Sequence, residues 1–270
     1  MSRWKRILLI LCMLTGTVLT VLPLLSSWAA DRRASIVTAD YQSVTAKIGS
    51  RQAHEQLAQA DLYNADIEYG DYADMLWLTQ DGMMGYLEIP AIDLVLPIYH
   101  GTDSAVLAKG VGHLPYTSLP VGGANTHAAL SAHSGMAGAR LFTDLPELRP
   151  GDIFTIHILN RVLTYEVVNI ATVLPQETEL LAIQPGADLC TLITCTPYGV
   201  NSHRLLVQGK RVIPQSGGAK MTAPVATPDT ADDPSRRAVW MRKYLIYLLA
   251  GAWIGCAAGA AIIIKHRRRL

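Results

Sequence analysis

The sequence predicts a mainly β protein, in which a barrel domain follows a helical segment and an apolar run lies near each end of the chain. Between residues 83 and 213, short runs of β-branched and aromatic residues alternate with clusters of Pro, Gly, Asn and Asp. Residues 31–82 are polar and follow a helical pattern. The regular spacing of the short strands favours a closed or nearly closed antiparallel barrel over a sheet that alternates with helices.

The N-terminal residues 1–30 are predicted to form a membrane anchor or a signal segment. Arg3, Lys5 and Arg6 precede an apolar run over residues 7–25, and the positive-inside rule then exports the chain that follows. The triplet Ser27-Trp-Ala29 also suits cleavage by a signal peptidase, so both alternatives stay open. Either alternative places the barrel on the extracellular face of the cell membrane.

Residues 31–82 are predicted to be a helical N-terminal extension. Tyr41, Val44 and Ile48 recur at helical spacing, and Leu57 can continue the same stripe. A helix that packs on the barrel is therefore expected before the first strand.

Seven strands are predicted in the barrel domain, residues 83–213. Each is an apolar or alternating run that ends at turn residues. The candidates are Tyr86–Ile89, Leu94–Ile98, Ala128–Ala132, Ile153–Leu159, Val162–Ile170, Thr191–Thr194 and Leu205–Val212.

A flexible linker and a second membrane helix are predicted after the barrel. Residues 214–238 are rich in Pro, Gly, Ala and Asp, a composition typical of a tether. Within residues 239–270, an apolar run over 244–264 is closed by the basic sequence Lys265-His-Arg-Arg-Arg269. This pattern is typical of a transmembrane helix with a cytoplasmic tail.

The net charge of the protein excludes a partner, such as a nucleic acid, that would be bound through a large excess of basic residues. The chain has 270 residues, is 50% hydrophobic and carries a formal net charge of +1, so it lacks the basic excess of nucleic-acid-binding proteins. The sequence also has no glycine-rich phosphate loop and no paired Cys and His spacing. No cofactor and no metal are therefore predicted.

The residues that could take part in catalysis lie at the last two predicted strands. Cys195 ends an apolar run, Pro197-Tyr-Gly199 follows as a turn signal, and Arg204 opens the next strand. The turn is expected to bring Cys195 and Arg204 side by side. Cys190 lies an odd number of residues before Cys195, so the two thiols point to opposite faces and cannot form a disulfide. Cys190 is interpreted as a core residue.

A nucleophilic cysteine reacts as the thiolate and needs a base or a cation nearby. His133 follows an apolar strand and precedes a glycine turn, which makes it the preferred base. His203 adjoins Arg204 and should point away from the thiol if Arg204 points toward it. The guanidinium can donate to a carbonyl oxygen that becomes negative. From spacing alone, a surface arginine paired with a carboxylate is the simpler interpretation.

Six sequence motifs occur in a fixed order along the barrel domain. The motifs are Met84-Gly-Tyr-Leu-Glu-Ile-Pro90, Leu96-Pro-Ile-Tyr-His-Gly101, Gly110-Val-Gly-His-Leu114, Thr117-Ser-Leu-Pro-Val-Gly-Gly123, Leu130-Ser-Ala-His133 and Thr194-Cys-Thr-Pro-Tyr-Gly-Val-Asn-Ser-His-Arg204. In this order they resemble the motifs of the sortases of class C. The resemblance implies an eight-stranded, closed sortase-type β-barrel. It also implies that Cys195 is the nucleophile, His133 the general acid and base, and Arg204 the group that stabilises substrate and oxyanion.

The resemblance implies a cysteine transpeptidase of Gram-positive bacteria that acts on a Leu-Pro-x-Thr-Gly (LPXTG) sorting signal. Cleavage between Thr and Gly would leave a thioacyl enzyme. In class C, a lysine amine on another pilin subunit then resolves the thioester and extends the pilus. The expected partners are pilins or surface proteins with this signal and the cell membrane, with no nucleic acid.

Three functions other than pilus assembly share features with this sequence. A sortase that anchors proteins to the peptidoglycan precursor shares the first half-reaction, but the C-terminal anchor and the Thr-Pro-Tyr-Gly block favour the pilin interpretation. A non-catalytic membrane-tethered binding module requires Cys195, His133 and Arg204 to be idle. A papain-like protease is disfavoured because its histidine follows the cysteine in the chain.

One feature of class C sortases is missing from the sequence. These enzymes usually carry a lid with an Asp-Pro-aromatic motif that covers the active-site cysteine. Residues 62–72 contain no Asp-Pro pair. A truncated or missing lid is therefore expected, with Asp66-Ile-Glu-Tyr69 as a candidate for a short substitute.

Overall fold

A computed structural model describes Trp4 and residues 36–66, 72, 75–79, 81–136 and 139–212. The chain divides into two compact units, and the barrel belongs to the unit Arg33–Met221. Among the described residues, no helix has both the length and the apolar character needed to cross a bilayer. The two predicted membrane segments, 7–25 and 244–264, lie outside the described residues and stay predictions.

The N-terminal region contains two successive helical stretches. Residues 36–45 are helical, and α1 (Ser50–Ala65) begins after a turn, with Gly49 as its N-cap. Tyr41 and Leu57 are buried as predicted, but they lie on separate helices instead of one stripe. The Tyr41 hydroxyl donates to the Met84 carbonyl at 3.2 Å and accepts from the Leu159 amide. This tyrosine therefore fastens the helical region to the barrel.

Eight strands form a closed barrel, as the family resemblance implies. The connection from the second strand to the third contains the short helix α2 (Ser104–Lys109). The barrel order is β1-β2-β3-β4-β7-β8-β6-β5. The strands are β1 (Met83–Ile89), β2 (Leu94–His100), β3 (Val111–His113), β4 (Thr126–Ser131), β5 (Ile153–Ile158), β6 (Arg161–Val173), β7 (Asp188–Thr196) and β8 (His203–Arg211).

Two of the strand pairs are parallel, so the expectation of an antiparallel barrel is wrong in this respect. β2 and β3 are parallel, and so are β4 and β7. A parallel pair requires a crossover connection, which α2 supplies for the first pair and the long excursion through β5 and β6 supplies for the second. β3 was not predicted, because a strand of three residues is too short to show alternation.

Side chains of β7 alternate between the barrel interior and its outer surface. Cys190 and Leu192 belong to the main core, whereas Ile193 belongs to a separate apolar cluster outside it. Because alternate residues share a face, Cys195 lies on the outer face with Ile193. Cys190 is fully buried, as predicted, and neither Cys190 nor Cys195 is in a disulfide.

The end of β3 carries a buried histidine. His113 is fully buried, with Nδ1 2.8 Å from the Tyr72 hydroxyl and Nε2 2.8 Å from the Ser118 carbonyl. His100, at the end of β2, pairs with His113 and is also buried. Burial lowers the pKa of His113 to about 4. The imidazole is therefore neutral in the folded protein at pH 7.

This low pKa predicts a loss of stability in acid. The unfolded chain binds the His113 proton near pH 6.5, whereas the folded chain binds it only near pH 4. The free energy of unfolding is therefore expected to fall by roughly 3 kcal/mol through His113 as the pH drops from 6.5 to 4. Urea unfolding of the wild type and His113→Gln across this range measures the effect.

The His113→Gln variant is expected to be less stable at neutral pH but to show a smaller decrease below pH 6.5. A residual decrease should remain, because burial also lowers the pKa values of His100 and His127. An unchanged pH dependence in the variant would show that His113 does not titrate on unfolding.

Candidate active site

Cys195 and Arg204 lie side by side, as the turn signal between them predicts. Cys195 of β7 is directly opposite Arg204 of β8 in the antiparallel register. Arg204 Nη1 donates to the carbonyls of Asn201, at 3.2 Å, and His203, at 3.1 Å. Among the described residues no carboxylate pairs with this guanidinium, so the surface ion pair that spacing alone favours is not found there. The turn instead holds the cation next to the thiol.

His133 is aligned with Cys195 on the side of β7 that pairs with β4, opposite the side that pairs with β8. β4 and β7 pair in parallel along the whole of β4. The register continues beyond the end of β4, because the Thr194 hydroxyl donates to the Ala132 carbonyl at 2.8 Å. One residue further on, the same register places His133 level with Cys195.

The three residues face outward from the barrel. Ala129 of β4, Ile193 of β7 and Leu206 of β8 form the outer apolar cluster, against which further side chains pack. Positions 133, 195 and 204 are each an even number of residues from these three, so their side chains share the outer face. His133, Cys195 and Arg204 are all partly buried. They form a row across the ends of β4, β7 and β8, which is called the catalytic row below because the sequence predicts a catalytic role for each of the three.

The turn that carries His133 is fastened to the segment after it. The His133 carbonyl accepts from the Phe142 amide at 3.0 Å, and the Gly135 amide donates to the Thr143 hydroxyl at 3.0 Å. Gly135 has φ of +74°, a conformation that glycine adopts without strain. These contacts explain why a glycine follows the histidine so closely.

His203 does not join the catalytic row. It is opposite Thr196 in the β7–β8 register and precedes Arg204, so alternation turns it away from the Cys195 face, as predicted. Its Nδ1 lies 2.8 Å from the Ser202 hydroxyl. His133 is therefore the histidine that the strand register aligns with the thiol.

Two side chains that the sequence analysis did not single out hold the β6–β7 connection over the outer face. His127 Nδ1 lies 3.0 Å from the Ala182 carbonyl, and its Nε2 lies 2.7 Å from the Thr191 hydroxyl. Burial lowers the pKa of His127, which favours a neutral ring that donates from Nδ1 and accepts at Nε2. Gln208 donates to the Leu180 carbonyl at 3.2 Å. The even spacing of His127 and His133 in the sequence indicates that both lie on one face, but it does not indicate the contact of His127 with Ala182.

The predicted lid region falls mostly outside the described residues. Asp66 is the C-cap of α1, and residues 67–71 are not described. The truncated or missing lid stays a prediction. Among the described residues, no group of three His, Cys, Asp or Glu side chains could hold a metal ion.

Comparison with known proteins assigns this chain a consistent set of relatives. The family model for the Sortase domain matches residues 87–212. Sortase D of Bacillus subtilis is 34% identical over 131 residues, which are 47% of this chain and 63% of that protein. Sortase A of Streptococcus agalactiae is 31% identical over 117 residues, or 42% of this chain and 47% of the relative. The chain thus covers less than two thirds of both curated relatives.

Solved structures match more completely. Sortase C1 of Streptococcus agalactiae is 42% identical, with a TM-score of 0.62, and the match covers 65% of this chain and 97% of that chain. Clostridium perfringens sortase C, solved with the C-terminal cell wall sorting motif, is also 42% identical, with a TM-score of 0.62 and coverage of 66% and 98%. Sortase C of Streptococcus pneumoniae, described with reference to pilin substrate specificity, is 40% identical, with a TM-score of 0.62 and coverage of 66% and 97%.

Proposed function

Because the chain belongs to the sortase family, we propose that it is a class C cysteine transpeptidase that assembles pili on the Gram-positive cell surface. It cleaves an LPXTG-like sorting signal between Thr and Gly and transfers the acyl group to a pilin lysine. The observation that carries the proposal is the catalytic row, which aligns a base, a thiol and a guanidinium on one face. These groups can supply the nucleophile, the proton transfer and the oxyanion stabilisation for acyl transfer through a thioester.

The first half-reaction forms a thioester. The Cys195 thiolate attacks the threonine carbonyl carbon, and Arg204 donates to the oxygen as it becomes negative. The bond from this carbon to the glycine nitrogen then breaks, and His133 supplies the proton that the departing amine requires. Arg204 stays charged throughout, so its contribution does not depend on a proton transfer.

The second half-reaction releases the product. A lysine amine attacks the thioester carbonyl, and the proton that it loses passes to His133. The carbon–sulfur bond breaks and Cys195 leaves as the thiolate. An isopeptide bond between two subunits results, and the enzyme returns to its starting protonation state.

The outer apolar cluster is a buried support next to the catalytic row. Ile193 lies two residues before Cys195 on the same face, next to Leu206. These side chains are at most 8% exposed and pack against Leu114, Val173 and Leu181, so they hold the strands of the site in place and do not form an open substrate surface. The β6–β7 connection, held by His127 and Gln208, forms one wall of this region.

The proposal includes a location at the cell membrane, with the barrel on the extracellular face. The apolar runs at 7–25 and 244–264, with their flanking basic residues, support this location. Exported substrates with a hydrophobic tail emerge at the same surface. Anchoring the enzyme there raises the local concentration of substrate and acceptor.

The acceptor amine distinguishes pilus assembly from the second candidate, attachment to the peptidoglycan precursor, because both share the first half-reaction. The full-length protein in detergent is mixed with an LPXTG peptide and either a lysine-containing pilin peptide or a peptidoglycan stem peptide. A pilus-assembly enzyme should form a branched product with the pilin peptide. It should form none with a control pilin peptide whose lysine is acetylated. A product that forms only with the stem peptide would identify the anchoring reaction. Hydrolysis of the LPXTG peptide without any transfer would contradict both candidate functions.

Arg204 provides a graded test of oxyanion stabilisation. Arg204→Ala is expected to lower kcat by about 10²- to 10³-fold, the usual loss when a donor to the oxyanion is removed. Arg204→Lys keeps the charge but loses the planar pair of donors, so it should recover only part of the rate. Initial-rate kinetics with the LPXTG peptide measure both variants. Full activity in Arg204→Ala would remove Arg204 from the mechanism.

A further inference from the structure

An exposed aromatic residue in the turn between Cys195 and Arg204 contacts the turn that carries His133. Tyr198, three residues after Cys195, is 69% exposed, yet its ring lies against Gly135. A Cβ atom added at Gly135 would lie 2.6 Å from Tyr198 Cε2 and 3.0 Å from both Cδ2 and Cζ. The ring therefore occupies the space beside the glycine that follows His133 by two residues.

Tyr198 belongs to the turn that also holds Arg204. The amides of Val200 and Asn201 donate to the Pro197 carbonyl at 3.0 and 2.9 Å. The Asn201 carbonyl in turn accepts from Arg204. This turn is therefore a hydrogen-bonded unit with Cys195 at one end and Arg204 at the other.

The contact with Gly135 joins this unit to the turn that carries His133. β4 ends at Ser131, so His133 lies beyond the last ladder pair that holds β4 to β7. Beyond that point the Tyr198 ring adds a contact from the β7–β8 side. Proton transfer needs His133 within hydrogen-bond reach of its partner, and a misplacement of about 1 Å can cost about 100-fold in rate.

We propose that Tyr198 is a positioning residue whose ring, seated on Gly135, holds the His133 turn over Cys195. The inference rests on the proposed transpeptidase function and assigns no proton or covalent step to the tyrosine. The glycine at 135 serves two purposes, because its positive φ forms the turn and its missing side chain admits the ring. The contact is made by ring carbons, so the tyrosine hydroxyl is dispensable.

Steady-state kinetics of the full-length protein with an LPXTG peptide test the proposal. Tyr198→Ala is expected to lower kcat by about tenfold to 100-fold with little change in KM, whereas Tyr198→Phe should stay within about twofold of the wild type. Val200→Ala is the matched control, since Val200 lies in the same turn and is also 69% exposed. Its kinetics should be unchanged. A raised KM with normal kcat in Tyr198→Ala would overturn positioning in favour of substrate contact.

Gly135→Ala tests the same contact from the other side. The added methyl group displaces the ring, and the positive φ adds strain, so kcat should fall at least as far as in Tyr198→Ala. Because both changes break one contact, the double variant should lose much less than the product of the two single losses. Fully multiplicative losses would mean that the two residues act independently.

Alkylation of Cys195 provides a readout that needs no sorting peptide. The thiolate is the reactive species and His133 is its base, so Tyr198→Ala should slow iodoacetamide labelling at pH 7 by about tenfold, as followed on the Cys195 peptide by mass spectrometry. Removing a ring that only covered the thiol would speed labelling instead, and this result would overturn the proposal. If the wild type labels normally but processes no peptide, the proposed substrate class is wrong and the labelling comparison still decides the role of Tyr198.

Discussion

Replacing Cys195 by alanine is expected to reduce transpeptidation to background. The thioester forms on this sulfur, and alanine offers no atom that could attack the threonine carbonyl. Cys195 is at the end of β7 and only partly buried, so the barrel should keep its stability within about 1 kcal/mol. Turnover of an LPXTG peptide and thermal unfolding, measured on the same preparation, separate lost chemistry from lost fold.

Cys190→Ala is the matched control for this loss. Cys190 lies on the same strand but is fully buried in the barrel core, where burial raises its pKa well above the usual thiol range. This variant should keep its kcat and lose some stability, because the smaller side chain leaves a small cavity. Transpeptidation that survives Cys195→Ala would contradict the mechanism, whatever the result for Cys190→Ala.

Replacing His133 by alanine is expected to lower kcat by about 10²- to 10⁴-fold with an amide substrate. An amine can leave only with a proton, and His133 is the group that the register places beside Cys195 to supply it. A thioester analogue of the sorting peptide leaves as a thiolate and needs no proton. The defect should therefore shrink with the thioester, and most of all at alkaline pH, where a thiol ionises without a base.

His203→Ala is the control for a histidine near the site that lies outside the catalytic row. Its position opposite Thr196 turns it from the Cys195 face, so the rate with the amide should stay near that of the wild type. Equal losses of His133→Ala with amide and thioester donors at alkaline pH would exclude proton donation to the leaving group.

The local parts of the fold were predictable from the sequence. Alternating apolar residues and turn signals identify seven of the eight strands, and Pro197-Tyr-Gly199 between two strands predicts that Cys195 and Arg204 are neighbours. Both features depend on residues close together in the chain. β3 was not predicted, because a strand of three residues shows no periodicity.

The parallel pair of β4 and β7 could not be derived from local patterns. Thr194 and Ala132, which share a hydrogen bond there, are 62 residues apart in the chain. Periodicity predicts that a strand exists but does not indicate which partner it finds. The chemistry of a thiol that needs a base, together with the family resemblance, therefore predicted His133, and the register then explained its placement.

The contacts of Tyr198 and His127 were equally inaccessible to sequence reasoning. The ring of Tyr198 meets Gly135, and His127 meets Ala182 in the β6–β7 connection. Each contact joins segments that are distant in the chain, and each involves a residue type that is common in turns or on strand surfaces. Only the closure of the barrel brings them together.

The acyl-enzyme is the most direct test of the mechanism. Full-length wild-type protein is mixed with an LPXTG peptide, quenched rapidly in acid and analysed by intact-mass and peptide-mapping mass spectrometry. The account predicts a mass increase equal to the peptide acyl group, located on Cys195. A folded protein whose Cys195 labels with iodoacetamide but forms no adduct with several related sorting signals, or forms one on a different residue, would contradict it.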